Sequence, residues 1–187
     1  MEKILITGTG RCGTTFLIKL FSFLGFDTGY NRNNYKDNIF SNSNSGMERW
    51  YTENYYILKN PYFISNINTI LNDQTIKIKL VIIPVRDYTL SAKSRARLQV
   101  GEGIISGGLW CASDEQSQLA FYKNIITNYI YCMTKYDICT LFLDFDKMTT
   151  DNIYLFNKLK NVLDEKNINF ETFSNVYNEV TLTSRPK

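Results

Sequence analysis

Apolar runs of strand length alternate along the chain with apolar positions at helical spacing. The first run, from Lys3 to Thr7, leads into a glycine-rich turn, and apolar residues then recur every three or four positions from Thr14 to Leu24. A period near 3.6 residues indicates an amphipathic helix, and Gly25 directly after it is a typical stop signal. The N-terminal part of the chain therefore predicts a strand, a loop and a helix in that order.

The same alternation continues toward the C-terminal end. The strongest strand is predicted from Ile76 to Val85, where an unbroken apolar stretch is typical of a buried central strand. Ser113 and Gln116 resemble a capping box that opens the longest helix. That helix is predicted to end at about Tyr136. The other predictions are strands at 55–59 and 138–145 and helices at about 62–71, 88–100, 151–163 and 170–180.

Strands that alternate with helices imply a mostly parallel sheet covered on both faces. The predicted fold is therefore an α/β three-layer sandwich with a P-loop-like strand-loop-helix, in a single domain of residues 1–187. Residues 25–52 and 101–113 have no periodicity, and loops of that length in a compact domain are usually functional or mobile.

Two absences from the sequence, of histidine and of a Cys-x-x-Cys pair, exclude several kinds of catalytic and metal site. The 187 residues include no histidine, which excludes Ser-His-Asp and Cys-His catalysis, histidine bases and His-containing metal sites. The four cysteines form no Cys-x-x-Cys pair, so the sequence indicates neither a zinc site nor a disulfide framework. Cys132 and Cys139 are predicted to be buried reduced thiols.

Charge and hydropathy bear on partners and location. A net charge of +3 is too small to indicate nucleic-acid binding, although local basic clusters remain suited to a small anion. No apolar run approaches the roughly 20 residues that cross a bilayer, and the N-terminal apolar run is too short for a signal peptide. We therefore expect a cytoplasmic protein without a membrane span.

The loop from Gly8 to Thr15 is the first candidate site. Its glycines allow the backbone to approach a ligand, and the amides at the following helix start carry partial positive charge. Arg11 adds a full charge, and Thr14 and Thr15 add hydroxyl groups. Together these groups predict a cradle for phosphate or sulfate.

Two nucleotide-binding patterns overlap this loop. A Walker A sequence would place lysine where this chain has Thr14, which argues against an ordinary NTP-hydrolysing site. The dinucleotide pattern G-x-G-x-x-G matches completely, and Tyr131 and Lys135 form the Tyr-x-x-x-Lys spacing of short-chain dehydrogenases. Asp27 lies near the distance expected of a ribose-binding acid, but it follows a helix rather than a second strand. An NAD(P)-dependent oxidoreductase is therefore the alternative prediction.

A second basic cluster follows the strongest strand. Arg86 stands at the strand end, and Ser94 follows eight residues later on the next helix, so both can converge on one phosphate. Lys93, Arg95 and Arg97 enrich the same helix in positive charge, and a solvated basic face is the plain interpretation of these three. Two separated clusters fit a nucleotide that is phosphorylated at both ends.

These motifs together resemble the sulfotransferase family, whose members use 3′-phosphoadenosine 5′-phosphosulfate. The segment Arg11-Cys12-Gly13-Thr14-Thr15-Phe16 is similar to the family's 5′-phosphosulfate loop, and Arg86 with Ser94 is similar to its 3′-phosphate motif in the carbohydrate-type version. Leu58-Lys59-Asn60-Pro61 and the segment 143–148 are similar to two weaker family elements. The resemblance covers roughly residues 3 to 163.

The resemblance implies a sulfotransferase that needs no metal and moves a sulfuryl group to a hydroxyl or amine of a small-molecule or glycan acceptor. It implies donor contacts from one set of residues: Gly10, Arg11, Cys12, Gly13, Thr14, Thr15, Phe16, Arg86 and Ser94. Arg11 and Lys59 are the implied groups that stabilise the leaving phosphate and the sulfuryl group. The acceptor itself and the oligomeric state are not encoded in any motif.

Without histidine, a general base must be a carboxylate, a lysine, a tyrosine or a cysteine. The resemblance implies the variant of the family that uses a carboxylate. Glu48 is the first choice, since it lies in the loop after the first helix, and Asp37 and Glu53 are its rivals. Trp50, Tyr51 and Trp110 lie in or beside the two aperiodic loops and are candidates for an acceptor pocket. A non-catalytic nucleotide-binding module is a further alternative.

Overall fold

A four-stranded parallel sheet forms the centre of the protein in the computed structural model, which describes residues 2–40, 43–98 and 107–184. The strands are β1 (Glu2–Ile6), β4 (Ile57–Lys59), β5 (Lys77–Val85) and β6 (Thr140–Asp144), in the spatial order β4-β1-β5-β6. All three pairings are parallel. The expectation that β5 is an interior strand is therefore confirmed.

Seven helices and one small hairpin complete the described part of the chain. The hairpin pairs β2 (Ile39–Phe40) with β3 (Ser45–Gly46) and follows a single 3-10 turn at Lys36–Asn38. The helices, in chain order, are α1 (Thr14–Phe23), α2 (Phe63–Asn72), α3 (Tyr88–Leu98), α4 (Glu115–Lys135), α5 (Phe145–Thr150), α6 (Asn152–Asp164) and α7 (Phe170–Ser184).

The helices cover the two faces of the sheet, with one apolar core on each side. On β1, Ile4 and Ile6 pack with α1, α6 and α7, whereas Leu5 points to the opposite core with α2 and α4. Successive strand residues face opposite sides, so a strand buried on both faces must be apolar throughout. The three-layer α/β sandwich predicted from the sequence is confirmed.

Three local predictions are wrong. The helix α4 is capped by Asp114, whose carboxylate accepts a hydrogen bond from the Ser117 amide at 2.7 Å, so the capping box lies one residue beyond the predicted one. The helix α5 was not predicted, because its six residues are too few for a periodic pattern. Cys132 is buried as expected, but Cys139 is exposed, since it stands before the edge strand β6 begins.

No helix in residues 2–40, 43–98 and 107–184 is long and apolar enough to cross a membrane.

Candidate functional site

The glycine loop between β1 and α1 is shaped by close backbone contacts. Gly10 has a φ of +73°, and a Cβ there would lie 2.0 Å from Nη2 of Arg95. Gly13 has a φ of +89° and caps α1, and a Cβ there would lie 2.5 Å from Cε of Met148. Only glycine fits both positions. Because no side chain caps α1, its first amides are available to a ligand.

A cavity of about 650 Å³ opens at this loop, at the carboxyl ends of the parallel strands. All four strands contribute the residues that follow them, which is the usual position of ligand sites in open α/β sheets. Along the chain these residues are Gly10 and Arg11 after β1, Lys59 and Pro61 at the end of β4, Arg86 after β5 and Phe145 after β6.

The two basic motifs predicted from the sequence meet beside the glycine loop. Nε of Arg11 donates to Oγ of Ser94 at 3.1 Å, and Nη1 of Arg86 donates to the carbonyl oxygen of Arg11 at 3.2 Å. The Arg86 guanidinium also lies over the Phe145 ring, 4.8 Å from its centre. Arg86 therefore points toward the glycine loop and into the cavity.

Arg95 is a third arginine of this cluster, so the alternative of a solvated basic face is wrong for this residue. Lys93 and Arg97 are exposed, but Arg95 is 6% exposed and lines the cavity. Its Nη2 donates to the Thr9 carbonyl at 3.2 Å, and its Nη1 donates to the Gly108 carbonyl. The signal that was available is helical spacing, since the small residues Ser91 and Ala92 are buried on the same face of α3.

The cluster formed by Arg11, Arg86 and Arg95 concentrates positive charge. Burial lowers the pKa of Arg11, and the charges of Arg95 and Arg86 lower it further. Within the described ranges, the carboxylates that form ion pairs do so with other cations, none of them in this cluster.

Two buried nitrogens of the arginine cluster, Nε of Arg86 and Nε of Arg95, have no hydrogen-bond partner among the residues that the structure describes. Buried donors of this kind are rare, and charged ones are costly to leave unpaired. An anion that contacts several guanidinium groups is the chemical complement of such a site.

The remaining residues of the predicted donor loop are arranged around the start of α1. Gly13, Thr14, Thr15 and Phe16 line the cavity. Cys12 does not, because its side chain is fully buried beneath the loop, where burial raises the pKa of its thiol. Cys12 can therefore contribute to a ligand site only through its backbone.

Lys59 and Glu48 form an ion pair at the opposite side of the loop. Nζ of Lys59 donates to Oε1 of Glu48 at 2.5 Å, to the Gly46 carbonyl at 2.9 Å and to Oγ1 of Thr15 at 3.3 Å. The Lys59 side chain is 1% exposed, whereas that of Glu48 is 32% exposed and faces the cavity. Burial lowers the pKa of Lys59, and the Glu48 carboxylate opposes that shift.

The three carboxylates predicted as candidate bases differ in whether they reach the cavity. Glu48 lines the cavity, and Asp37 and Glu53 are not among its lining residues. Asp37 is exposed on the 3-10 turn. Glu53 is held by Nη1 of Arg49 at 3.1 Å and by the Trp50 amide at 2.6 Å.

Of the aromatic residues predicted to form an acceptor pocket, one lines the cavity and two do not. Trp110 lines the cavity, and its ring packs against the Tyr62 ring at 5.0 Å. Trp50 and Tyr51 contact each other outside the cavity lining. Tyr131, the tyrosine of the alternative dehydrogenase pattern, is 63% exposed on α4 and is also not a lining residue.

Comparisons of the chain with protein-family models, curated proteins and solved structures find no match. Among the residues that the structure describes, no three or more Asp, Glu and Cys side chains are grouped closely enough to hold a metal ion.

Proposed function

We propose that this protein is a sulfotransferase that moves a sulfuryl group from 3′-phosphoadenosine 5′-phosphosulfate to a hydroxyl or amine of an acceptor. The observation that carries the proposal is the contact between Arg11, Arg86 and Ser94 at the uncapped start of α1. These contacts bring the residues of both motifs to one cavity, where a single nucleotide could meet both of them.

The donor would be held through its anionic groups. The amides at the start of α1 and the Arg11 guanidinium suit the 5′-phosphosulfate, and Arg86 with Ser94 suits the 3′-phosphate. The unpartnered Nε of Arg86 supports this fit, because a phosphate oxygen would supply its missing acceptor. The donor is a substrate of the proposed reaction, and it leaves as adenosine 3′,5′-bisphosphate.

The ion pair of Lys59 and Glu48 supplies the other half of the proposed chemistry. Glu48 takes the proton from the acceptor hydroxyl as the acceptor oxygen bonds to sulfur and the bond from sulfur to the phosphate oxygen breaks. Lys59 contacts Thr15 at the helix start, so its charge lies on the side where negative charge develops. A carboxylate base is consistent with a chain that has no histidine.

Thermal unfolding with adenosine 3′,5′-bisphosphate tests the proposal. A ligand at 100 times its dissociation constant stabilises the folded state by about 2.7 kcal/mol, which is roughly 5–11 °C in Tm for a chain of this length. We expect this shift in the wild type and its loss in Arg86→Ala. Arg97→Ala is the matched control, because Arg97 is exposed on the neighbouring helix.

A transfer assay separates this function from its alternatives. With labelled donor and a panel of phenols, sugars and amines, the wild type should label an acceptor and Glu48→Gln should not, although Glu48→Gln should still bind the bisphosphate. Stabilisation by NADP(H) instead of the bisphosphate would favour the dehydrogenase alternative. Bisphosphate binding without transfer to any acceptor would indicate a binding module.

A further inference from the structure

Lys19 is a buried cation in the same cavity that the proposed reaction does not use. It lies on α1 four residues after Thr15, so its Cα is about 6 Å further along the helix axis. The residue is 2% exposed and lines the cavity. Its Nζ donates to Oγ1 of Thr183 at 2.7 Å and lies 4.5 Å from the centre of the Tyr35 ring.

The surroundings of Lys19 do not neutralise its charge. Burial lowers its pKa to about 8, Glu179 on α7 opposes that shift, and Lys36 on the 3-10 turn adds to it. Glu179 is engaged by Arg32, with 2.9 Å between the two charged groups. No carboxylate of the described residues lies within ion-pair distance of Lys19. A buried lysine that contacts a hydroxyl and an aromatic ring but no carboxylate is costly, which argues for a role beyond packing.

The cavity is also lined by apolar side chains. Phe16 and Phe145 line it from the helical layer, and Ile39 and Phe40 line it from the hairpin. The hairpin turn is tied to the end of α7, because Nδ2 of Asn44 donates to the Ser184 carbonyl at 2.8 Å. The cavity therefore combines several cations with aromatic and aliphatic surface.

We infer that Lys19 is a second anion-binding subsite, which takes a phosphate or carboxylate group of a ligand whose other end occupies the arginine cluster or the Glu48 side of the cavity. The ligand chemistry is an anionic group joined to a planar or apolar body. In its details the inference rests on the proposed function, which offers two sources of that group. One is the 3′-phosphate of the donor, which would then bind Lys19 in place of Arg86 with Ser94, and the other is an acid group on the acceptor.

Calorimetric binding to Lys19→Met tests the subsite and distinguishes these sources. Lys36→Met is the matched control, since Lys36 is an exposed lysine near the same place, and Lys19→Arg should restore the charge. If the donor's 3′-phosphate binds Lys19, Lys19→Met should lose about tenfold or more in affinity for adenosine 3′,5′-bisphosphate and none for adenosine 5′-phosphate.

If an acceptor acid binds Lys19, both nucleotides should bind Lys19→Met as they bind the wild type. With the bisphosphate saturating, 4-hydroxybenzoate should then bind the wild type at least about tenfold more tightly than Lys19→Met, and neutral 4-hydroxybenzamide should not discriminate between them. Affinities within about twofold for every one of these probes would overturn the inference.

A separate measurement tests the Lys19 subsite if the protein is not a sulfotransferase. A wild type that binds neither nucleotide contradicts the sulfotransferase proposal, and the subsite is then tested directly by NMR of lysine labelled with ¹³C at Cε. Inorganic pyrophosphate should raise the pKa of Lys19 because an anion stabilises the protonated form. An unchanged pKa for Lys19 would overturn the subsite in that case.

Discussion

Glu48→Gln should destabilise the folded protein through Lys59 rather than through any contact of its own. The substitution keeps the shape of the side chain and removes the charge opposite a lysine that is 1% exposed. Removing one partner of a fully buried ion pair costs about 3–5 kcal/mol. Because the Glu48 side chain is 32% exposed, solvent reduces the expected cost to about 1–3 kcal/mol.

The cost of Glu48→Gln should also depend on pH. In the folded protein burial holds the pKa of Lys59 below its ordinary value of 10.5. The unfolded chain therefore binds more protons between these two pKa values, and stability rises with pH across that interval. Removing the Glu48 carboxylate lowers the folded pKa of Lys59 further. The deficit of Glu48→Gln should therefore shrink as pH rises from the Lys59 pKa of the variant to that of the wild type, and it should disappear above the latter.

Urea unfolding at pH 7, 8, 9 and 10 measures the effect, and Lys59→Met in the Glu48→Gln background should recover most of the lost stability. Asp164→Asn is the matched control, because its partner Lys160 and Asp164 itself are both half-exposed, and its free energy of unfolding should hardly change. A Glu48→Gln protein as stable as the wild type at pH 7, or a deficit that is constant up to pH 10, would refute the role given to this pair.

Three further predictions concern the loop and the two buried cations. Gly10→Ala should lower the free energy of unfolding by about 1–3 kcal/mol in urea titrations and abolish stabilisation by the bisphosphate, because the new Cβ meets Arg95 at a strained φ. Arg95→Met should weaken bisphosphate binding about tenfold or more in calorimetry, since the anion loses a buried guanidinium, whereas Arg97→Met should not. Because the pKa of Lys19 is lowered from 10.5 to about 8 in the folded protein, Lys19 should raise the free energy of unfolding by up to about 3 kcal/mol between these pH values. Lys19→Met should lack this contribution in parallel urea titrations.

The site residues that could be predicted from the local sequence are those that follow the ends of strands. Arg11 follows β1 and Arg86 follows β5, and the carboxyl ends of neighbouring parallel strands meet at one edge of the sheet. Their convergence followed from topology alone. The fold class followed in the same way, since buried parallel strands require unbroken apolar runs.

The parts that could not be predicted depend on packing between distant segments. Arg95 and Lys19 are long cationic side chains on helices, and such residues are usually exposed. Their burial is set by Trp110 and Gly108 in one case and by Thr183 and Tyr35 in the other, which are remote in sequence. A helical period identifies the inward face of α3 or α1, but it does not reveal that this face borders a cavity.

Arg95 also connects the glycine loop to the segment that precedes Trp110. The same guanidinium donates to the carbonyl of Thr9 in the glycine loop and to that of Gly108, two residues before the cavity-lining Trp110. Its Nε has no partner among the described residues, so an anion in the glycine loop can bind the same guanidinium while both carbonyl contacts persist. One side chain then joins the ligand, the glycine loop and the backbone just before Trp110.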